Sequence, residues 1–100
     1  MGYEFTAELW RWEVRASDGW TFVSLPQQLA DEIEEVARPV SRGFGSVRVE
    51  VSLGATTWQT SLFPDSTAGT YVLPIKKAVR TAEGLGPGSH VHVRLRLLDA

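Results

Sequence analysis

The side chains with the clearest capacity for chemistry are a basic pair and three strand residues in the second half of the chain. Lys76 and Arg80 are four residues apart, so they share one face of a predicted helix. They fall in its first turns, where positive charge opposes the helix dipole, and a bound anion would offset that cost. The pattern therefore predicts an anion-binding pocket that combines them with Trp58, Thr60 and Ser61 from a neighbouring strand. The alternative is a solvated helix face whose long side-chain stems cover apolar surface.

Aromatic side chains are abundant, with four tryptophans in 100 residues. The set comprises Trp10, Trp12, Trp20 and Trp58, together with Phe22 and Tyr71. Such rings can line a ligand cavity or form a platform on which nucleic-acid bases stack. The favoured interpretation is core packing, because a small barrel needs large side chains in its interior.

Two histidines and two serines are the remaining candidates, and each has a simpler explanation. His90 and His92 share a strand face, but a metal needs a third ligand, and the sequence does not identify one. We expect them to be exposed strand residues. Neither Ser24 nor Ser61 lies in a Gly-x-Ser-x-Gly turn, and nothing places a base beside either one. We therefore identify no catalytic residue and predict neither a metal site nor a cofactor.

The size and composition of the chain are those of one globular domain spanning residues 1–100. It has no cysteine, which excludes disulfides, thiolate catalysis and cysteine zinc sites. A formal net charge of −2 disfavours a dedicated nucleic-acid-binding protein. The N-terminus has no signal-peptide pattern and no apolar run reaches membrane-spanning length, so we expect a cytoplasmic protein with no membrane association.

Alternation of apolar and polar residues, bounded by turn residues, predicts six strands and two helices. The strands are expected over Tyr3–Val14, Trp20–Leu25, Val47–Leu53, Thr57–Phe63, Thr70–Leu73 and Val91–Leu97. Within the first of them the apolar alternation slips between Leu9 and Trp10, which indicates a bulge or bend. One helix is expected from Pro26 to Arg38 and a second from Pro74 to just before Gly84.

Two segments share the order strand, Leu-Pro, helix, Gly-x-Gly-Ser, strand. The first runs from Gly19 through Gly43–Ser46, and the second runs from Gly69 through Gly86–Ser89. This order fits a pseudo-twofold internal repeat, and it fits two ordinary β-α units with common turn chemistry equally well. Either way, the elements predict a mainly β fold, a closed or nearly closed six-stranded β-barrel with two short α-helices.

Several stretches of the chain resemble the DUF1905 family, a domain of unknown function. They are Phe5–Leu9, Trp20–Pro26, Gly43–Val49, Trp58–Pro64 and Tyr71–Arg80. The most specific are Thr60-Ser61-Leu62-Phe63-Pro64 and the Leu-Pro-x-Lys-x-x-Val-Arg pattern that begins at Leu73. The resemblance extends from about Tyr3 to Leu97 and implies a small β-barrel without an established activity. It also implies a basic residue in the loop after Pro64, where this chain has Asp65–Gly69 instead.

Three functions remain open at this stage, and no residue pattern in the sequence identifies an enzymatic reaction. The leading hypothesis is a binding module that takes a small, anionic ligand at the predicted pocket. The alternative is a protein-interaction or homodimerising module. Charge is unevenly distributed along the sequence, since the predicted first helix is acidic whereas the segment between Thr70 and Leu98 contains five basic residues. A weaker alternative is single-stranded nucleic-acid binding through the aromatic residues and the basic second half.

Overall fold

A computed structural model of the protein describes residues 2–12, 20–37 and 45–98. The strands are β1 (Gly2–Glu8), β2 (Trp10–Trp12), β3 (Trp20–Ser24), β4 (Val47–Leu53), β5 (Thr56–Asp65), β6 (Thr70–Pro74) and β7 (His90–Leu97). The helices are α1 (Gln27–Ala37) and α2 (Lys77–Glu83). Neither of these two helices has the length and hydropathy that would let it cross a membrane.

The strands form one antiparallel sheet that is curved into a half-barrel. Their order is β1-β7-β4-β5-β6-β3-β2, and every pairing is antiparallel. The prediction of a mainly β fold with two helices is confirmed. The predicted count of six strands differs from the seven found among the described residues, because the first predicted strand is divided at Leu9. The predicted end of that strand, Val14, lies outside the described residues.

The division at Leu9 places consecutive strands at the two ends of the sheet. Its backbone N–H donates to the carbonyl of Ser89 at 2.8 Å, and its carbonyl accepts from the N–H of Gly88 at 2.8 Å. Its side chain is only 1% exposed. Both backbone polar groups of Leu9 are therefore hydrogen-bonded at the point where the pairing partner of the strand changes from β7 to β3.

The strand bends at the predicted place, but the side chains do not change face there. Phe5 and Leu9 are buried and Ala7 packs against the core, so Thr6 and Glu8 point outward, and Trp10 and Trp12 continue that outward series. Trp10 lies opposite Phe22 and Trp12 lies opposite Trp20. The apparent slip in the sequence is therefore a change of composition on the outer face, from charged to aromatic.

The two similar segments correspond to the units β3–α1–β4 and β6–α2–β7. Each strand of one unit pairs antiparallel with its counterpart in the other, β3 with β6 and β4 with β7. A twofold axis between the units requires pairing of this kind. The helices differ in length, however, with 11 residues in α1 and 7 in α2.

The two helices begin differently although both follow a Leu-Pro pair. Helix α1 begins at Gln27, one residue after the predicted start at Pro26, and the carbonyl of Pro26 accepts from the N–H of Ala30 at 3.0 Å. Its predicted end at Arg38 lies outside the described residues. The predicted start of α2 at Pro74 is wrong, because Pro74 still belongs to β6 and lies opposite Phe22. Helix α2 ends at Gly84, whose left-handed conformation (φ 67°) suits a residue without a Cβ.

The core lies between the inner face of the sheet and the helices. Its fully buried members include Val49 and Val51 of β4, Val93 of β7, Ile33 of α1 and Val79 of α2. Strand β5 runs two residues further than predicted, through Pro64 to Asp65. Proline is tolerated there because β4 pairs with β5 only as far as Leu62, so no pairing with β4 is lost.

Candidate functional site

A concave pocket of about 220 Å³ lies where β3, the end of β6 and the start of α2 meet. The described residues that line it are Trp20, Thr21, Pro74, Ile75, Lys76, Lys77 and Arg80. Three of these side chains are basic, one is a tryptophan, and none is acidic. We call this the basic pocket.

The basic pocket is held together by the connection between β6 and α2. The N–H of Ile75 donates to the carbonyl of Thr21 at 2.8 Å, which ties the start of the connection to β3. The Ile75 side chain is buried in the core. Lys76 then takes an extended conformation before the helix begins at Lys77. These contacts fix the backbone from which the basic side chains project.

Arg80 is oriented by its own helix connection. Its Nε donates to the carbonyl of Ile75 at 3.1 Å, a part-buried contact that restricts the guanidinium. The expectation that Arg80 opposes the helix dipole is wrong, because α2 is short and Arg80 falls in its last turn. Positive charge at that end of a helix is favourable. The basic pocket must therefore be argued from its shape and charge, and not from a helix dipole.

The strand residues predicted for the site are placed elsewhere. Trp58 and Thr60 lie opposite Val51 and Val49 on the inner face of β5, and Trp58 packs against the core. Ser61 lies on the other face of β5, opposite Arg48. None of the three lines the pocket that Lys76 and Arg80 line. A shared site for all five residues stays a prediction.

Trp20 belongs to the aromatic candidates from the sequence, but the predicted five-residue site does not include it. The antiparallel register pairs Phe22 with Pro74, and two further residues along each strand bring Trp20 level with Lys76. The similarity of the two strand-helix units was the signal that could have located it. If the first strands of two related units pair antiparallel, residues that precede the Leu-Pro pair of one unit lie beside residues that follow the Leu-Pro pair of the other unit. Trp20 and Lys76 are such residues.

A second aromatic feature covers the outer surface of β2, β3, β6 and the end of β5. We call it the aromatic face, and it consists of Trp10, Trp12, Trp20, Phe22, Phe63 and Val72. The favoured prediction of core packing is wrong for Trp12 and Trp20, which are 54% and 59% exposed. It holds in part for Trp58 and Tyr71, which pack with the core.

Three rings of the aromatic face, those of Trp10, Phe22 and Trp20, are in contact. Those of Trp10 and Phe22 are tilted, with centroids 5.2 Å apart, and those of Trp20 and Phe22 are stacked at 6.4 Å. Trp10 Nε1–H donates to Ser24 Oγ at 2.9 Å, which gives that serine a structural role.

The two histidines are exposed on the outer side of β7, as predicted. His92 Nε2 lies 2.7 Å from Glu4 Oε1, and its Nδ1 lies 3.2 Å from Thr6 Oγ1. His90 Nε2 lies 3.9 Å from Glu8 Oε1. No group of three metal-ligating side chains occurs within residues 2–12, 20–37 and 45–98.

The loop after β5 explains why an acidic residue suits position 65. Asp65 Oδ1 accepts from the backbone N–H of Thr67 at 3.1 Å and of Ala68 at 3.3 Å, which closes a tight turn. The carbonyl of Gly69 accepts from Gln27 Nε2 at 2.7 Å, so the loop is also tied to α1. A basic residue at this position could not accept these bonds.

Residues 5–95 match the family described as Domain of unknown function (DUF1905). This match covers nearly the whole chain and confirms the resemblance seen in the motifs. No curated protein matches the chain. The family description names no activity, so a function has to be argued from the pockets.

Proposed function

This chain belongs to the DUF1905 family, and from its geometry we propose that it binds a small anionic ligand in the basic pocket. The observation that supports this most directly is the concentration of Lys76, Lys77 and Arg80 around one concave surface beside Trp20. Carboxylates and phosphates are the anions that such side chains recognise.

The composition of the pocket also indicates the shape of the ligand. Arg80 offers a planar fork for a carboxylate or phosphate, while the lysines act as point charges. The Trp20 ring and Pro74 offer an apolar surface on which a flat part of a ligand can rest. An aromatic carboxylate and a nucleotide both combine an anionic group with a flat ring, so both belong to this class.

The proposal is tested by titrating the purified protein with benzoate, AMP and inorganic phosphate while intrinsic tryptophan fluorescence is followed. We expect at least one of the two ring-bearing anions to bind more tightly than phosphate. The variants Lys76→Gln and Arg80→Gln should each weaken that binding about tenfold, the effect of losing one charge-assisted contact. Higher salt should weaken it further.

The matched control is Arg94→Gln, which removes one positive charge from the exposed outer side of β7, away from the pocket. If Arg94→Gln weakens binding as much as Lys76→Gln does, the attraction is a property of overall charge and the basic pocket is not the site. The variant Trp58→Phe tests the predicted five-residue site in the same titration. Weaker binding in Trp58→Phe would extend the site to the inner face of β5.

Self-association through the aromatic face is a second candidate function. It is favoured by Trp12, Trp20 and Phe63, the large apolar side chains of the described residues that are most exposed. Light scattering over a wide concentration range should then show a mass that rises to that of a dimer. A monomer at every concentration would remove this candidate. A short single-stranded oligonucleotide in the fluorescence titration tests the nucleic-acid alternative.

We also propose that the half-barrel closes into the predicted six-stranded barrel, with β1 and β2 acting as one bent strand. This is supported by their positions at opposite ends of the sheet, joined at Leu9, and by the contact between β1 and β3. Nuclear Overhauser contacts between the side chains of β1 and β3 would support closure. Their absence in a fully assigned spectrum would contradict it.

A further inference from the structure

A second pocket, of about 360 Å³, opens on the aromatic face. The described residues that line it are Trp10, Trp12, Phe22, Pro64, Asp65, Thr67 and Val72. It shares no lining residue with the basic pocket, and its chemistry is opposite. Three aromatic rings form its walls, and Asp65 is the one charged residue among the described residues that line it.

Two of the three aromatic walls, Trp10 and Phe22, are held by contacts within the protein. The indole N–H of Trp10 is engaged by Ser24, and the ring of Trp10 packs against that of Phe22. The Trp10 ring therefore contributes its π surface to the pocket, because its hydrogen-bond donor is already used. Trp12 at the rim is more than half exposed and has surface left for a ligand.

The floor of the pocket is also preformed. Val72 is 8% exposed, although it does not belong to the main core cluster. Its strand neighbours Tyr71 and Leu73 do belong to that core, so Val72 faces the other side of the sheet. The rings of the aromatic face therefore bury Val72 from outside and give the pocket a dry, apolar base.

The carboxylate of Asp65 lies at the edge of this apolar pocket. Its Oδ1 accepts two backbone N–H groups, which holds the side chain in place. These bonds are made to one oxygen of the carboxylate, and both donors are neutral. These contacts therefore bring no positive charge to the Asp65 carboxylate at the pocket wall.

We propose that this pocket binds an organic cation that carries a quaternary or tertiary ammonium group. Aromatic faces attract a cation through their quadrupole, and the carboxylate adds a Coulombic attraction. A methylated ammonium fits better than a lysine-like ammonium, since it is less strongly hydrated and places apolar methyl groups against the rings. The proposal concerns a different pocket and a different ligand class from the proposed function, and it does not depend on it.

The decisive experiment compares choline with its uncharged isostere, the dimethylbutanol in which a tert-butyl group replaces the trimethylammonium group. Binding is followed through the indole N–H resonances in heteronuclear NMR, which report on Trp10, Trp12, Trp20 and Trp58 separately. We expect choline to shift the resonances of Trp10 and Trp12 saturably, with a Kd on the order of 1 mM. Dimethylbutanol should bind at least about tenfold more weakly, since it lacks the cation.

Two variants locate the choline site, and each has a matched control. Trp12→Leu keeps an apolar residue but removes a ring, and we expect it to weaken choline binding about tenfold. Its control is Trp20→Leu, which removes an equally exposed ring outside this pocket. Asp65→Asn keeps the Oδ1 acceptor but removes the charge, and we expect a several-fold loss of affinity. Its control is Glu35→Gln, which removes a negative charge from the exposed surface of α1.

Three results would overturn the proposal. Choline and dimethylbutanol could bind equally, which would make the pocket an unselective apolar patch. Trp20→Leu could weaken choline binding as much as Trp12→Leu, which would place the cation outside this pocket. Choline could leave the Trp10 and Trp12 resonances unshifted while light scattering shows a dimer, which would assign the aromatic face to self-association. The basic pocket could fail its own titrations without affecting any of these results.

Discussion

The outer surface of the sheet has two halves that differ in chemistry, although both are built on the same antiparallel backbone. On β1, β7 and β4 the outward side chains are polar or charged and meet across strands, and we call this the charged face. Its contacts pair Glu4 with His92, Glu8 with His90, and Glu50 with Arg96. On β2, β3 and β6 the equivalent positions form the aromatic face.

The contrast shows where an outward-facing surface has been left for something to bind. Charged residues on an outer strand face satisfy one another and the solvent, so that half of the sheet needs no partner. Covering exposed aromatic rings with a ligand or a protein lowers the free energy, because apolar surface is removed from water. Both pockets border the aromatic face, and the first strand changes from one chemistry to the other within three residues, from Glu8 to Trp10.

The largest expected effect concerns Val72, which is buried on the outer side of the sheet. Val72→Ala should lower the free energy of unfolding by about 2 kcal/mol, because two methyl groups lose their burial and a small cavity remains. Arg94→Ala on the charged face should change it by less than about 0.5 kcal/mol. Urea unfolding measures both. Equal effects would mean that the aromatic face does not act as a second small core.

A smaller effect is expected at the hydrogen bond behind the aromatic wall. Trp10→Phe should cost about 1 kcal/mol, since it leaves Ser24 Oγ part-buried without its donor. The comparable bond near the charged face joins Ser52 Oγ and Thr57 Oγ1 at 3.1 Å and is exposed. Ser52→Ala should therefore cost only a few tenths of a kcal/mol. A cost for Ser52→Ala as large as that for Trp10→Phe would remove this distinction between the faces.

The ion pairs of the charged face should contribute less still. Arg96 Nη2 lies 3.1 Å from Glu50 Oε1, and the two side chains are 56% and 31% exposed. A double-mutant cycle with Arg96→Gln and Glu50→Gln should give a coupling of about 0.5 kcal/mol that declines in high salt. A coupling several times larger, insensitive to salt, would show that this face stabilises the fold through its charges.

The smallest expected effect concerns Tyr3 of β1, which changes the free energy of unfolding only at alkaline pH. Burial, and secondly the negative charge of Glu32, raises the pKa of Tyr3 above its ordinary value of 10.0. The folded state therefore keeps this proton when the unfolded chain loses it. The stabilisation is complete below about pH 10 and is lost as the pH rises through the higher pKa of the folded state.

Tyr3→Phe tests this assignment directly. In the wild type, the free energy of unfolding should decline as the pH rises just above 10, and in Tyr3→Phe this decline should be shallower. Near neutral pH, the two proteins should show the same pH dependence. Glu32→Gln should reproduce a part of that change, because it removes the second cause of the shift. An unchanged alkaline decline in Tyr3→Phe would mean that other groups control it.

Much of the fold could be predicted because the strand patterns were unambiguous. Strand β4 has the predicted bounds, Val47 to Leu53, since its valines alternate strictly with polar residues and a Gly54 turn follows. Alternation reveals which residues share a face, but it does not say which face is inside when both carry apolar residues. For that reason Trp10 and Trp12 were assigned to the core although they lie outside it.

The site was harder to predict because it depends on how distant segments pair. Lys76 and Arg80 were identified from their spacing, yet their aromatic neighbour is set by the register of β3 against β6. Local sequence does not contain that register. The same holds for Asp65 and Trp12, which lie 53 positions apart in the sequence and line one pocket.

The joint at Leu9 also sets the order in which the two halves of the sheet can form during synthesis. The partner of β2 is β3, which follows it closely, whereas the partner of β1 is β7, the last strand of the chain. Contacts between distant segments carry a larger loop-closure entropy and form late. On the ribosome, Trp10 and Trp12 can meet their partners early, while Glu4 and Glu8 must wait until β7 has emerged. The nascent chain therefore carries an uncovered strand edge at β1 until β7 has been synthesised, which is the interval in which a chaperone would protect it from aggregation.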